Sequence, residues 1–209
     1  MTSYIPQLTL PSSIFTSAPA SILLPVALGT AVGFGTGFVS DQKRQYHSLR
    51  QPPLRPPSSV FGPVWTLLYG TMGYAAHRAY LFGTSSSSSP SLLLSNPSVV
   101  PTTYHTATLY TIQLGLNLIW MPLFFGLRRP ILATLDCAAL VGINAYLAWT
   151  WGTQIDAVAG WLMVPYVCWL GFATYLSAGS GYLNEWDFSE ERIRKGEEEQ
   201  QKRKGEKGL

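Results

Sequence analysis

Charge is almost absent from the middle of this chain. Fifteen of its twenty-five charged residues follow Asn184 and none precedes Asp41. Between Pro56 and Asn184 only Arg78, Arg128, Arg129, Asp136 and Asp156 are charged. A water-soluble helical domain needs a polar, charged face on each surface helix, and this stretch cannot supply one. The whole chain is 12% charged, against about 25% in an ordinary soluble domain. Its middle is therefore expected to lie in a bilayer.

Crossing the hydrocarbon core takes about 20 mostly apolar residues as a helix. Five stretches meet that length: 20–40, 58–82, 104–126, 130–150 and 156–183. They are too long and continuous for alternating barrel strands. The expected fold is all-α, an integral membrane bundle of five transmembrane helices over 20–184. A polar amino-terminal segment (1–19) precedes it and a charged tail (185–209) follows. Residues 1–40 lack the basic start of a secretory signal and the arginines of a mitochondrial transit peptide, so no cleaved presequence is expected.

Loop charges orient the bundle. Thirteen lysines and arginines lie outside the spans, and all fall in the first loop, the third loop or the tail. The positive-inside rule then places these three in the cytosol and the amino terminus opposite. Residues 83–103 are uncharged and serine-rich, a linker composition. The tail mixes acids and bases almost evenly and reads as a frayed, solvated helix or disorder.

No nucleophile, base and orienter fall at a recognisable spacing, and neither Cys137 nor Cys168 sits in a metal-ligand pattern. Catalytic and metal residues are accordingly none, with one alternative. His77, inside the second stretch, is either hydrogen bonded to a neighbouring helix or a ligand to haem iron. Arg78 is expected to snorkel to the second-loop side. Asp136 is expected to pair with Arg129 or a first-loop base, and Asp156 to cap the last span.

Polar and aromatic residues in the spans recur at helical spacing. Gly29, Gly33 and Gly37 form one small-residue face suited to close helix packing. Tyr110, Gln113, Asn117, Trp120 and Phe124 form a stripe that should point inward, since polar groups facing lipid are costly. Trp65 and Tyr69 lie one turn apart. Trp169 falls about 20 Å along its helix from Asp156, too deep for an interfacial belt residue, with Ala173 leaving a notch one turn on. Wide rings with single polar tips suit a flat apolar ligand, and ring packing between helices is the alternative.

Three ordered blocks, "YHSLRQPPLRPPSSVFGPVWTLLYGTMGYAA", "LNLIWMPLFFGLRRP" and "AGWLMVPYVCWLGFATYL", resemble the translocator protein family, also called the peripheral-type benzodiazepine receptor or tryptophan-rich sensory protein family. The resemblance implies a five-helix bundle, often a homodimer, with a pocket open toward the first loop. In that family the pocket takes porphyrins, haem, sterols and isoquinoline carboxamides. Carried over by motif, the pocket residues are Tyr46, Trp65, Asn117, Trp120, Trp169 and Ala173; Tyr69 and Phe124 join them from the spacing above. The proline-studded loop with Pro53, Arg55, Pro56 and Pro57 is expected to be a stiff lid. Leu54 and Ser59 stand where many relatives have tryptophan. Tyr182 lacks the basic residue that the sterol motif of animal relatives needs.

The expected function is binding, with or without transport, of tetrapyrroles (porphyrin, haem) and sterols, with no obligatory cofactor and no nucleic acid partner. The alternatives are light-dependent or oxidative porphyrin breakdown at the paired tryptophans, and a structural membrane adaptor. The expected location is the mitochondrial outer membrane with a cytosolic carboxyl terminus, or else the endoplasmic reticulum.

Overall fold

Helix ends in this chain are set by short polar caps and prolines at the edges of apolar runs. In the computed structural model, which describes residues 8–85 and 97–207, all regular structure among the described residues is helical. A short α1 (Ser12–Thr16) leads into α2 (Ala18–Val39), whose first turn is capped by Ser17. A short α3 (Gln42–Ser48), capped by Asp41, lies in the first loop. Then follow α4 (Ser58–Ser85), α5 (Val99–Met121), α6 (Pro130–Thr150) and α7 (Ala157–Leu183). Asp156 caps α7 as expected, its side chain accepting from the Ala159 N–H at 3.1 Å. The tail forms α8 (Glu190–Lys207).

Two helix ends widen into π-helical turns, Pro122–Gly126 after α5 and Trp151–Ile155 after α6. Pro122 has no N–H to continue the regular ladder, and the Leu127 N–H reaches back to its carbonyl at 2.8 Å. Pro130 then starts α6 at a position where a missing donor costs nothing.

Among the described residues four helical segments are long and apolar enough to cross a membrane: Ala18–Phe38, Val99–Gly126, Pro130–Ile155 and Ala157–Leu183. The helix α4, at 28 residues, is as long as the longest of them but falls outside that set, diluted by glycines, threonines, tyrosines, His77 and Arg78. Length and apolarity thus support four of the five expected spans and leave α4 outside that set. Of the serine-rich stretch, residues 86–96 lie outside the described residues, while Ser85 still belongs to α4 and Val99 already to α5.

The strongest packing joins α6 to α7 and α2 to α4, with α4 also meeting α5 and α7. Close approach of α2 and α4 depends on two glycines. A Cβ on Gly29 would enter the Tyr69 ring, and one on Gly73 would meet the Ser21 carbonyl. The small-residue face expected on α2 works only at Gly29, because Gly33 has no atom within 4 Å of where its Cβ would be.

The segment before α2 packs into the bundle rather than lying apart. Phe15 is buried, stacked on Tyr80 at 5.0 Å and edge-on to Tyr110 at 5.9 Å. The Leu10 N–H donates to Thr111 Oγ1 at 3.0 Å. Removing a buried phenylalanine ring typically costs about 3–5 kcal/mol, so this segment closes the end of the bundle away from the first loop.

The tail reading needs a larger correction. Residues Glu185 and Trp186 both take left-handed backbone at φ 58. With the Trp186 N–H on the Gly181 carbonyl at 2.7 Å, they reverse the chain so that α8 returns over α3. Phe188 and Ile193 are each only 1% exposed and join Leu49, Phe124, Phe125 and Ala133 in a second apolar cluster. Full burial of such side chains contributes roughly 1.5–3 kcal/mol each, against ~0.2–1 kcal/mol for an exposed ion pair. The apolar contacts therefore anchor α8, and its charges adjust how it sits.

Arg78 reaches the second-loop side of the bundle as expected and is held there, its guanidinium bonding the Asp156 carboxylate at the start of α7 at 2.8 Å. Asp136 makes no ion pair among the described residues, and its buried Oδ2 has no hydrogen-bond partner there. Arg128, next to its expected mate, pairs instead with Glu190 at 2.7 Å.

Candidate ligand-binding site

Phe61, Trp65 and Tyr69 stand four residues apart on α4 and so share one face. Across from them α7 presents Tyr166 and Trp169. The rings alternate along this seam: Trp65 meets Tyr166 edge-on at 6.3 Å, and Phe61 meets Trp169 edge-on at 6.1 Å. Trp65 also tilts onto Tyr69 at 5.5 Å, while Trp169 contacts Phe172 at 5.6 Å. The two indoles make no ring contact with each other. In place of the open hollow that the sequence suggests, each is covered by a ring from the opposite helix.

Beneath the seam lies a buried polar floor. The Tyr69 hydroxyl donates to Asn117 Oδ1. Asn117 Nδ2 donates to the Tyr166 hydroxyl at 2.6 Å, which donates in turn to Gln113 Oε1 at 3.1 Å. Asn144 Nδ2 reaches the same Gln113 oxygen at 3.3 Å and the Leu140 carbonyl at 2.8 Å. Four helices thus meet through side-chain amides and phenols. Such groups are tolerated at depth where they bond one another, and within this network only Asn144 Oδ1 has no partner among the described residues.

At the seam itself the accounting is incomplete. The Trp169 indole N–H is buried and has no acceptor among the described residues. A buried donor left unmade costs on the order of 1–3 kcal/mol, a cost that an acceptor on a bound molecule would remove.

The first loop packs against the Phe61 end of the seam, and each residue expected to form a lid has a defined place. Tyr46 donates its hydroxyl to the Pro56 carbonyl at 2.7 Å, and Arg55 lies over the Tyr46 ring at 5.6 Å. Tyr175 of α7 donates to the Pro53 carbonyl at 3.0 Å. The Pro57 carbonyl accepts from the Val60 N–H at 3.0 Å and opens α4. Between them Leu54 takes left-handed backbone at φ 66, a costly setting for a branched side chain. Tyr46 also contacts Phe61 at 5.8 Å, so the lid touches the seam directly.

The expected pocket residues divide into two groups. Trp65, Tyr69 and Asn117 are brought together, with Trp169 further along the same seam and Ala173 half-buried one turn beyond it. Trp120 and Phe124 stack on each other at 4.9 Å in the second cluster beside the tail. His77 is engaged elsewhere: its Nδ1 lies 2.7 Å from the Phe15 carbonyl, about 18 Å along α4 from Trp65. Phe61 and Tyr166 were not singled out from sequence, although each sits one turn from a chosen tryptophan.

An all-helical bundle with membrane-length apolar helices and an aromatic seam capped by a proline-rich loop defines a class of polytopic membrane protein. The sequence pattern of the TspO/MBR family matches residues 21–183, and the chain belongs to that family. It is 41% identical over 162 residues to the translocator protein homolog of Schizosaccharomyces pombe, covering 78% of this chain and 88% of that one. It is 34% identical over 169 residues to the translocator protein of Homo sapiens, covering 80% and 86%. To the tryptophan-rich sensory protein of Cereibacter sphaeroides it is 33% identical over 159 residues, covering 75% and 87%.

Proposed function

We propose that this membrane protein takes flat, largely apolar molecules, namely porphyrin, haem or a sterol, into the seam between α4 and α7 by way of the first loop. The observation that carries the reading is the pairing of an unpartnered Trp169 N–H with two edge-on ring contacts across the seam. A tetrapyrrole offers both a flat face to replace the ring contacts and carboxylates to accept the indole proton. A sterol offers only the first, and so ranks below it.

In this reading α4 is the fifth span. Its less apolar composition follows from its inward partners, since Tyr69 bonds Asn117 and Arg78 bonds Asp156. The first loop, the third loop and the tail face the cytosol, consistent with their thirteen basic residues. We place the protein in the mitochondrial outer membrane, with the endoplasmic reticulum as the alternative, and as a homodimer.

Contact of Trp65 with two phenols, Tyr69 and Tyr166, favours a second reading in which bound porphyrin is broken down under light with these rings exchanging an electron. Illuminating the purified protein with protoporphyrin IX separates the two. Unchanged porphyrin absorbance alongside saturable quenching of tryptophan fluorescence supports binding; a new product that disappears in Trp65→Phe supports breakdown. Absence of both sinks the proposal.

A further inference from the structure

The tail helix α8 grips the one loop that lies over the seam. Arg44 of α3 bonds Glu190 at 2.5 Å and Glu197 at 2.7 Å, and Arg50 bonds Glu199 at 3.0 Å. The turn leading into α8 adds backbone contacts: Asn184 accepts from the Arg50 N–H at 3.1 Å and donates to the Arg50 carbonyl at 2.8 Å. Ser180, at the end of α7, donates to Gln51 at 2.7 Å. Ile193 fills the apolar cluster against Leu49. At Gly196 the backbone of α8 comes so close to the Ser48 carbonyl that an added Cβ would collide with it.

These contacts hold the near end of the lid, and Tyr46 holds its far end. Leu49 and Arg50 are held by the tail, and five residues on, Arg55 and Pro56 are held to Tyr46, which touches Phe61 of the seam. Moving the lid off the seam therefore requires the tail to let go of its near end. The tail has no role in the binding reading above, and among the described residues its ion pairs and ring contacts reach no seam residue.

We propose that α8 is a latch: docked on α3 and the start of the first loop, it holds the lid shut over the α4–α7 seam, and its release sets how often the seam opens. The closing force is a small apolar contact steered by three arginine–glutamate pairs at the aqueous surface. Such an arrangement releases without unfolding the bundle, since local opening follows from few buried contacts. The inference rests on the proposed route of entry past the first loop, and its test includes a readout that needs no ligand.

The full chain in lipid nanodiscs, with Cys168→Ala removing the exposed thiol, carries Phe61→Cys as a reporter at the top of the seam. Its labelling rate with a charged, water-soluble thiosulfonate is compared with and without Gly196→Ala or Ile193→Asp. Gly196→Ala is the sharper variant, because alanine favours the isolated helix over glycine while its Cβ blocks docking. Helix content will hold or rise while labelling accelerates about tenfold, the population shift expected when a closed state loses its restraint. In the chain retaining Phe61, the same variants will raise both association and dissociation rates of protoporphyrin IX, leaving affinity nearly unchanged.

Unchanged labelling in both variants overturns the latch. Faster labelling with unaltered porphyrin rates also overturns it, since the tail would then hold a loop that gates nothing. Faster labelling in a protein that binds no porphyrin upholds the latch and overturns the proposed ligand instead.

Discussion

Asn117 of α5 donates to the Tyr166 hydroxyl of α7 at 2.6 Å while accepting from Tyr69 of α4. One amide thereby ties three helices together under the aromatic seam. Interhelical hydrogen bonds in membranes average only about 0.6 kcal/mol by mutant cycles, but deleting this amide leaves the buried Tyr69 hydroxyl without an acceptor, at ~1–3 kcal/mol, and takes from the Tyr166 hydroxyl one of its two hydrogen bonds, the other being to Gln113. Asn117→Leu is therefore expected to destabilise the protein by about 2–4 kcal/mol, read as a lowered thermal midpoint in detergent. A midpoint within experimental scatter of the parent would show that the floor is not a working network.

The two glycines of the α2–α4 contact make a paired test with Gly33. Gly73→Leu places a side chain on the Ser21 carbonyl and cannot be absorbed by rotamer change. Overpacking of this kind costs about 1–3 kcal/mol or more. Gly33→Ala meets nothing within 4 Å and is expected to be neutral or slightly stabilising. Thermal unfolding of both variants checks the difference, and equal effects would contradict the packing described.

Acid should loosen the tail. Hydrogen bonds from Arg128 and Arg44 hold the Glu190 carboxyl below its ordinary value of 4.5, and a hydrogen bond from Arg44 does the same for Glu197. Because both values are lowered by docking, their contribution is complete above pH 4.5 and is lost as the pH falls through the depressed values. Hydrogen exchange across α8 will accordingly stay slow and nearly constant at higher pH, after correction for intrinsic rates, and accelerate only below that point. Loosening that begins near neutral pH would implicate some other group.

Much of the helical class was legible in the chain because charge is nearly excluded from its middle and polar caps mark where that exclusion ends. The individual helix that carries half the site was harder: α4 spends its polar atoms on Asn117, Phe15 and Asp156, so its composition understates its burial. Single-helix spacing picked out Trp65 and Tyr69 but not the alternation with Phe61 and Tyr166, which exists only once α4 faces α7. The tail misled for a related reason. Its even mix of charges describes the solvated side of α8, while Phe188, Ile193 and Gly196 are too sparse to form a pattern. Their partners Ser48 and Leu49 lie more than a hundred residues away in sequence.

The central claim is that the indole of Trp169, and not merely a tryptophan-rich surface, receives the ligand. Trp161 lies on the same helix but is 74% exposed toward the surroundings, which makes it the matched control. The deciding measurement is the dissociation constant of protoporphyrin IX for the reconstituted protein, for Trp169→Phe and for Trp161→Phe. Loss of a charge-assisted hydrogen bond predicts weakening by about tenfold or more in Trp169→Phe, with Trp161→Phe indistinguishable from the parent. Equal affinity in all three proteins, or equal weakening in both variants, would contradict the account.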